Sequence, residues 1–118
     1  MINQVEIPIY LQKAIPEISG ELKSHATDNV HDQIQTLASF TDKNIRAHNY
    51  DAVARCFRTA ELLYNKGNSA VKNAIENVFV YSFTNLLSNH PAEKQRLIGI
   101  IPMTLYSLYM SQVYHRGC

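Results

Sequence analysis

Between Asn49 and Gly67 the apolar side chains Val53, Cys56, Phe57, Ala60, Leu63 and Tyr64 recur every three or four positions. That spacing lines them up on one face of a helix with 3.6 residues per turn, and a strand period of two does not accommodate it. A chain made of such segments buries its stripes only by packing helix on helix. The same spacing recurs on both sides of this segment. Ile7, Tyr10, Leu11, Ala14, Ile15, Ile18 and Leu22 outline a short, bent first helix, with Pro8 suited to the first turn and Pro16 placed to break or kink it. Val5, Ile7 and Ile9 also alternate, but a lone strand has no partner elsewhere in the chain.

A second helix is expected to open near Asp28 as N-cap and to run through Val30, Ile34, Leu37, Phe40, Thr41 and Ile45 to about Ala47, with His48 and Asn49 as the break. The third begins at Tyr50 or Asp51 and stops at Gly67, expected as a left-handed C-terminal glycine. Asn68 or Ser69 caps a fourth helix, whose Val71, Ala74, Ile75, Val78, Phe79, Phe83, Leu86 and Leu87 predict the most buried element. Asn89, His90 and Pro91 close it; Pro91 opens a fifth, which Pro102 kinks or splits before Gly117. Two i,i+4 pairs, Asp42 with Arg46 and Asp51 with Arg55, support helices on solvated faces. Short connections favour antiparallel neighbours. The expectation is an all-α single domain over residues 1–118, with about five antiparallel helices in a bundle or helical-hairpin stack.

Composition narrows the function more by exclusion than by assignment. Of the 118 residues 46% are apolar and 18% charged, the balance of a chain that folds by itself. Eleven Lys and Arg against ten Asp and Glu leave a formal charge of +1, so the overall field does not draw in phosphate backbones. Cys56 and Cys118 form neither a zinc pattern nor a disulfide framework, and the opening residues lack the regions of a signal peptide; both point to the cytoplasm. Leu97 to Tyr114 carries no charge, yet Pro102, Thr104, Ser107, Ser111, Gln112 and scattered tyrosines read as a buried core helix, not a membrane span.

Chemistry leaves few traces. His25, Asp28, His31 and Asp32 cluster in sequence without a second pair of ligands, and His48 and His90 sit at helix ends, where they are expected to satisfy last-turn carbonyls. Cys56 shares the inward register of Val53, Phe57 and Ala60, which predicts an inert core thiol. Isolated glycines and singly scattered acids supply neither a phosphate loop nor a carboxylate pair. No catalytic, cofactor-binding or metal site is assigned, and no cofactor is expected.

Two surfaces remain. Tyr106, Tyr109, Met110, Val113 and Tyr114 form a C-terminal stripe that suits a cognate protein or a second copy of this chain, although core packing explains the same spacing. The segment AELLYNKGNSAVKNAIENV reads as helix, turn, helix, with Lys66, Lys72 and Asn73 as nucleic-acid contacts in the alternative reading of a small DNA-binding regulator. The near-zero charge argues against that alternative.

Leu37 and Phe40, then Asn49-Tyr50-Asp51, then Val53, Phe57 and Ala60 resemble one tetratricopeptide hairpin, in which Tyr50 would plug the turn. Asn44 and His48 depart from that pattern, and no second copy follows at the required period. More broadly, NYDAVARCFRTAELLYNKGNSAVKNAIENVF and the residues on to Leu87 resemble a family of short helical bacterial proteins without a characterised function. Small proteins of that type resemble immunity or antitoxin partners, which implies a non-enzymatic inhibitor that covers a cognate protein.

Overall fold

The computed structural model describes residues 2–3, 6–18, 20, 29–89 and 91–117, and for 86, 88–89 and 113–117 the backbone alone. Helix α1 spans Ile7–Ala14 with Pro8 in its first turn, and a 3₁₀ turn, Pro16–Ile18, follows it. Helix α2 is Val30–Arg46 and α3 is Tyr50–Lys66. Next comes a continuous helical run, made of α4, Ser69–Ala74, a π-helical segment, Ile75–Val80, and α5, Tyr81–Asn89. A 3₁₀ turn, Pro91–Glu93, leads into α6, Lys94–Ile100, and α7 is Met103–Gly117. The fold is all-α, as the apolar spacing predicts. Among the described residues no helix is long and apolar enough to cross a membrane.

Three asparagines start three helices. Asn29 Oδ1 accepts from the amides of His31 and Asp32 at 2.8 and 3.3 Å, Asn49 from Ala52 at 3.4 Å, and Asn68 from Val71 at 3.0 Å. Each satisfies an amide that has no partner within its helix, worth about 1 kcal/mol against alanine. The cap of α2 is therefore Asn29; Asp28, with Val5, Leu22, His25, His90 and Cys118, lies outside the described residues.

Gly67 is needed for space and not for handedness. Its backbone is extended (φ −79°, ψ 159°), and a Cβ there would meet Leu63 O at 2.3 Å and Val71 Cγ1 at 2.6 Å. Beside it Ile2 lies in a parallel bridge, its amide donating to Lys66 O at 2.6 Å while Asn68 N donates to Ile2 O at 2.8 Å. The left-handed residue is instead His48, at φ 59°. At the other break, Ile101 takes the extended conformation that a following proline imposes, so Pro102 divides α6 from α7.

The core runs as a line of aromatic rings. Phe57 of α3 meets Phe79 edge to face at 6.2 Å and Phe83 at 5.4 Å, and Phe83 meets Tyr109 of α7 at 5.5 Å. Such pairs contribute about 0.5–1.5 kcal/mol each beyond their burial. The wider π turn brings Ile75, Phe79 and Val80 all into the core, and Gln112 Nε2 of α7 donates to the Glu76 carbonyl within it at 2.7 Å. Buried threonines bond to their own helices; Thr41 Oγ1, for example, donates to Leu37 O at 2.8 Å. Asp42 pairs with Arg46 at 3.1 Å as expected, whereas Arg55 reaches Glu17 at 2.8 Å instead of Asp51, tying the first 3₁₀ turn to α3.

Candidate functional site

The most concentrated polar cluster among the described residues is at the corner where the α2–α3 turn meets the start of α6. The turn at Ala47–Asn49 has to reverse the chain within three residues, and His48 does so with a left-handed backbone that only glycine adopts without steric penalty. Its side chain then lies over the corner. His48 Nδ1 is 3.3 Å from Glu93 Oε1 and 3.5 Å from the Tyr50 hydroxyl. Tyr50, the first residue of α3, donates its hydroxyl to Glu93 Oε2 in a short hydrogen bond. One helical turn on, the Arg96 guanidinium stacks over the Tyr50 ring, 4.8 Å from its centre.

With Ala92 these four side chains line an open cleft of about 270 Å³. The Glu93 side chain is 18% exposed and that of His48 is 69% exposed, so a half-sheltered carboxylate is covered by an accessible ring. The Glu93 carboxylate holds Tyr50 above the ordinary tyrosine range by accepting its proton in a hydrogen bond; burial adds to this, and Arg96 opposes it. Tyr50 is thus kept as a neutral donor. With His48, Glu93 and Arg96 beside it, the cleft offers hydrogen-bond donors and one carboxylate, and no serine, threonine, cysteine or lysine lines it. Nor does His48 cap the last carbonyls of α2 with its ring, as its place in the sequence suggests; the ring turns to Glu93.

The residues singled out from sequence are dispersed. Tyr109 is 8% exposed and packed on Phe83, so it belongs to the core and not to a docking patch. Tyr106 and Met110 are half-buried against that core, and the side chains of Val113 and Tyr114 lie outside the described residues. Lys66, Lys72 and Asn73 are exposed around the α3–α4 turn, with Lys72 Nζ 5.9 Å from the centre of the Tyr64 ring, while the turn's Asn68 amide is already taken by Ile2. Cys56 is fully buried, and burial pushes its thiol up to about 11. Among the described residues no three His, Cys, Asp or Glu side chains gather closely enough to hold a metal ion; His25 and Asp28 of the sequence cluster lie outside them.

Glu93 and Arg96 were not legible as site residues. Their one sequence signal is an acid and a base three positions apart after Pro91, common on any solvated helix, while their partners lie in the α2–α3 turn.

No curated protein and no solved structure matches the chain. Residues 8–115 match a family described as a domain of unknown function, DUF7674, and the chain belongs to that family.

Proposed function

We propose that this chain is a non-enzymatic helical binding domain that engages a cognate protein through the corner formed by His48, Tyr50, Glu93 and Arg96, as an inhibitor of the immunity or antitoxin type would. The observation that carries the reading is the stacked Arg96–Tyr50 pair at the mouth of an open polar cleft. Arginine and tyrosine dominate the energetics of protein interfaces, because each offers a large contact area and directional hydrogen bonds at little loss of side-chain freedom. Here the stack and the Glu93 bond hold both side chains in place before a partner arrives, which lowers the entropy lost on association. The free Cys56 fits a reducing compartment such as the cytoplasm.

The test is capture of the tagged chain from its native cells at moderate salt, followed by titration of the recovered protein against the purified chain. One stoichiometric partner with submicromolar affinity is expected. Recovery of no specific protein overturns the reading. The exposure of Lys66, Lys72 and Asn73 at one turn supports a second reading, a nucleic-acid contact at α4. It requires DNA binding that weakens steeply with salt and with Lys66→Glu and Lys72→Glu, and a flat anisotropy titration at low salt removes it.

A further inference from the structure

The corner cleft holds more hydrogen-bond donors than its own acceptors use. Both Glu93 oxygens already have a close polar neighbour, His48 Nδ1 at 3.3 Å from Oε1 and the Tyr50 hydroxyl on Oε2. Arg96 carries five N–H groups, and no carboxylate lies within ion-pair distance of it among the described residues. Stacking on Tyr50 covers one face of the guanidinium and part of its edge faces the Tyr50 hydroxyl, which leaves the remaining N–H groups for a ligand. Ala92 is exposed and contributes only a methyl group, so that edge is not crowded from the 3₁₀ turn. His48 adds a second ring nitrogen on a side chain that is 69% exposed.

The backbone fixes where the His48 ring lies. His48 keeps φ at 59°, a conformation that costs a non-glycine residue about 1–2 kcal/mol. Glycine would relieve it, but would remove the ring that lies on Glu93. The conformation has a local cause, since the His48 amide donates to Ile45 O at 3.0 Å and the Asn49 amide to Asn44 O at 2.9 Å, the pair of bonds that closes a helix on a left-handed residue.

We propose that this cleft receives the carboxylate of an aspartate or glutamate side chain presented by the partner protein, with Arg96 as the forked donor and His48 as the second contact. The proposal rests on the protein-binding reading and names the chemistry of the partner's surface. Glu93 does not defeat it, because the Tyr50 and His48 contacts already engage both its oxygens and it forms no ion pair with the exposed Arg96. Its neighbouring charge does select among anions: a singly charged, planar carboxylate matches the guanidinium fork, whereas a doubly charged phosphate meets stronger repulsion.

The experiment is an NMR titration of the ¹⁵N-labelled full chain with an acetylated tetraglutamate amide, beside the matching tetraglutamine peptide and inorganic phosphate. Saturable shifts are expected at the Arg96 side-chain N–H and at the amides of residues 48–50 and 92–96. Affinity should fall about tenfold or more for the glutamine peptide and for Arg96→Gln, and by a smaller factor for Arg96→Lys, which keeps the charge and loses the fork. A shift that survives in Arg96→Gln, no saturable shift, or tighter binding of phosphate overturns the proposal. Arg96 is exposed, and a thermal melt verifies that each variant folds; if Arg96→Gln fails to fold, Arg96→Lys carries the same comparison. The two readings fail separately. A protein partner that binds Arg96→Gln as well as the native chain overturns the carboxylate site and leaves protein binding standing, whereas recovery of no partner overturns protein binding.

Discussion

Tyr50 donates its hydroxyl to Glu93, 43 positions further along the chain, so the first residue of α3 is tied to the turn that opens α6. The bond lets a three-residue turn and a 3₁₀ turn share one polar corner. It also sets the protonation of the tyrosine.

Because Glu93 holds Tyr50 above its ordinary value of 10.0, the folded state keeps this proton more tightly than the unfolded chain does. The associated stability is therefore complete below pH 10 and is lost as pH rises through the raised folded value. Denaturation midpoints measured from pH 9 to 11 should fall more steeply for the native chain than for Tyr50→Phe. Glu93→Gln should bring the Tyr50 absorbance titration back toward the ordinary range; identical slopes and titrations would contradict the assignment.

Two substitutions at His48 separate its backbone role from its ring. His48→Ala keeps the left-handed penalty and loses the Glu93 contact, while His48→Gly loses the contact and relieves the penalty. The glycine variant should be more stable than the alanine variant by about 1 kcal/mol in urea denaturation. Equal stabilities would mean that φ at this position carries no strain.

What could be read from the residues was local. Helix stripes such as Val53, Cys56, Phe57, Ala60 and Leu63 depend on spacing alone, and all five are buried together. The breaks at Asn49, Gly67 and Pro102 were equally legible. The reason for Gly67 was not, because spacing does not reveal that the backbone there is extended and presses a Cβ onto Leu63 O and Val71. The π segment also escaped, since Ile75, Val78 and Phe79 suit an ordinary helix and the Gln112 bond to the Glu76 carbonyl comes from α7, 36 positions further on. Arg55 chose distant Glu17 over Asp51 for the same reason, and the candidate site, built from two turns far apart in the chain, left almost no sequence signal.

The two roles a glycine can play are distinguishable by alanine. Gly67→Ala places a methyl 2.3 Å from Leu63 O and should destabilise by about 2 kcal/mol or more. Gly99, within α6, has open space for 4 Å around the position a methyl would take, so Gly99→Ala should stabilise by roughly 0.5–1 kcal/mol through helix propensity. Chemical denaturation of the pair checks both signs, and a neutral Gly67→Ala would remove the crowding argument.

Tyr109 is a core residue in this structure, so Tyr109→Asp should destabilise by about 3 kcal/mol or more by burying a charge against Phe83. Met103→Asp, at a side chain 78% exposed, should stay within about 0.5 kcal/mol of the native chain. Thermal melts of the two variants decide this; a Tyr109→Asp protein as stable as Met103→Asp would return the C-terminal stripe to the surface.

The central claim is that the His48, Tyr50, Glu93 and Arg96 corner is where a protein partner binds. A photoreactive phenylalanine at Ala92, an exposed residue of the cleft, tests it directly in the native cells, with the same group at exposed Ile9 as reference. The account predicts one specific crosslinked protein from position 92 that is lost with Arg96→Gln and absent from position 9. Crosslinks that are the same from both positions, or none from position 92, would contradict it.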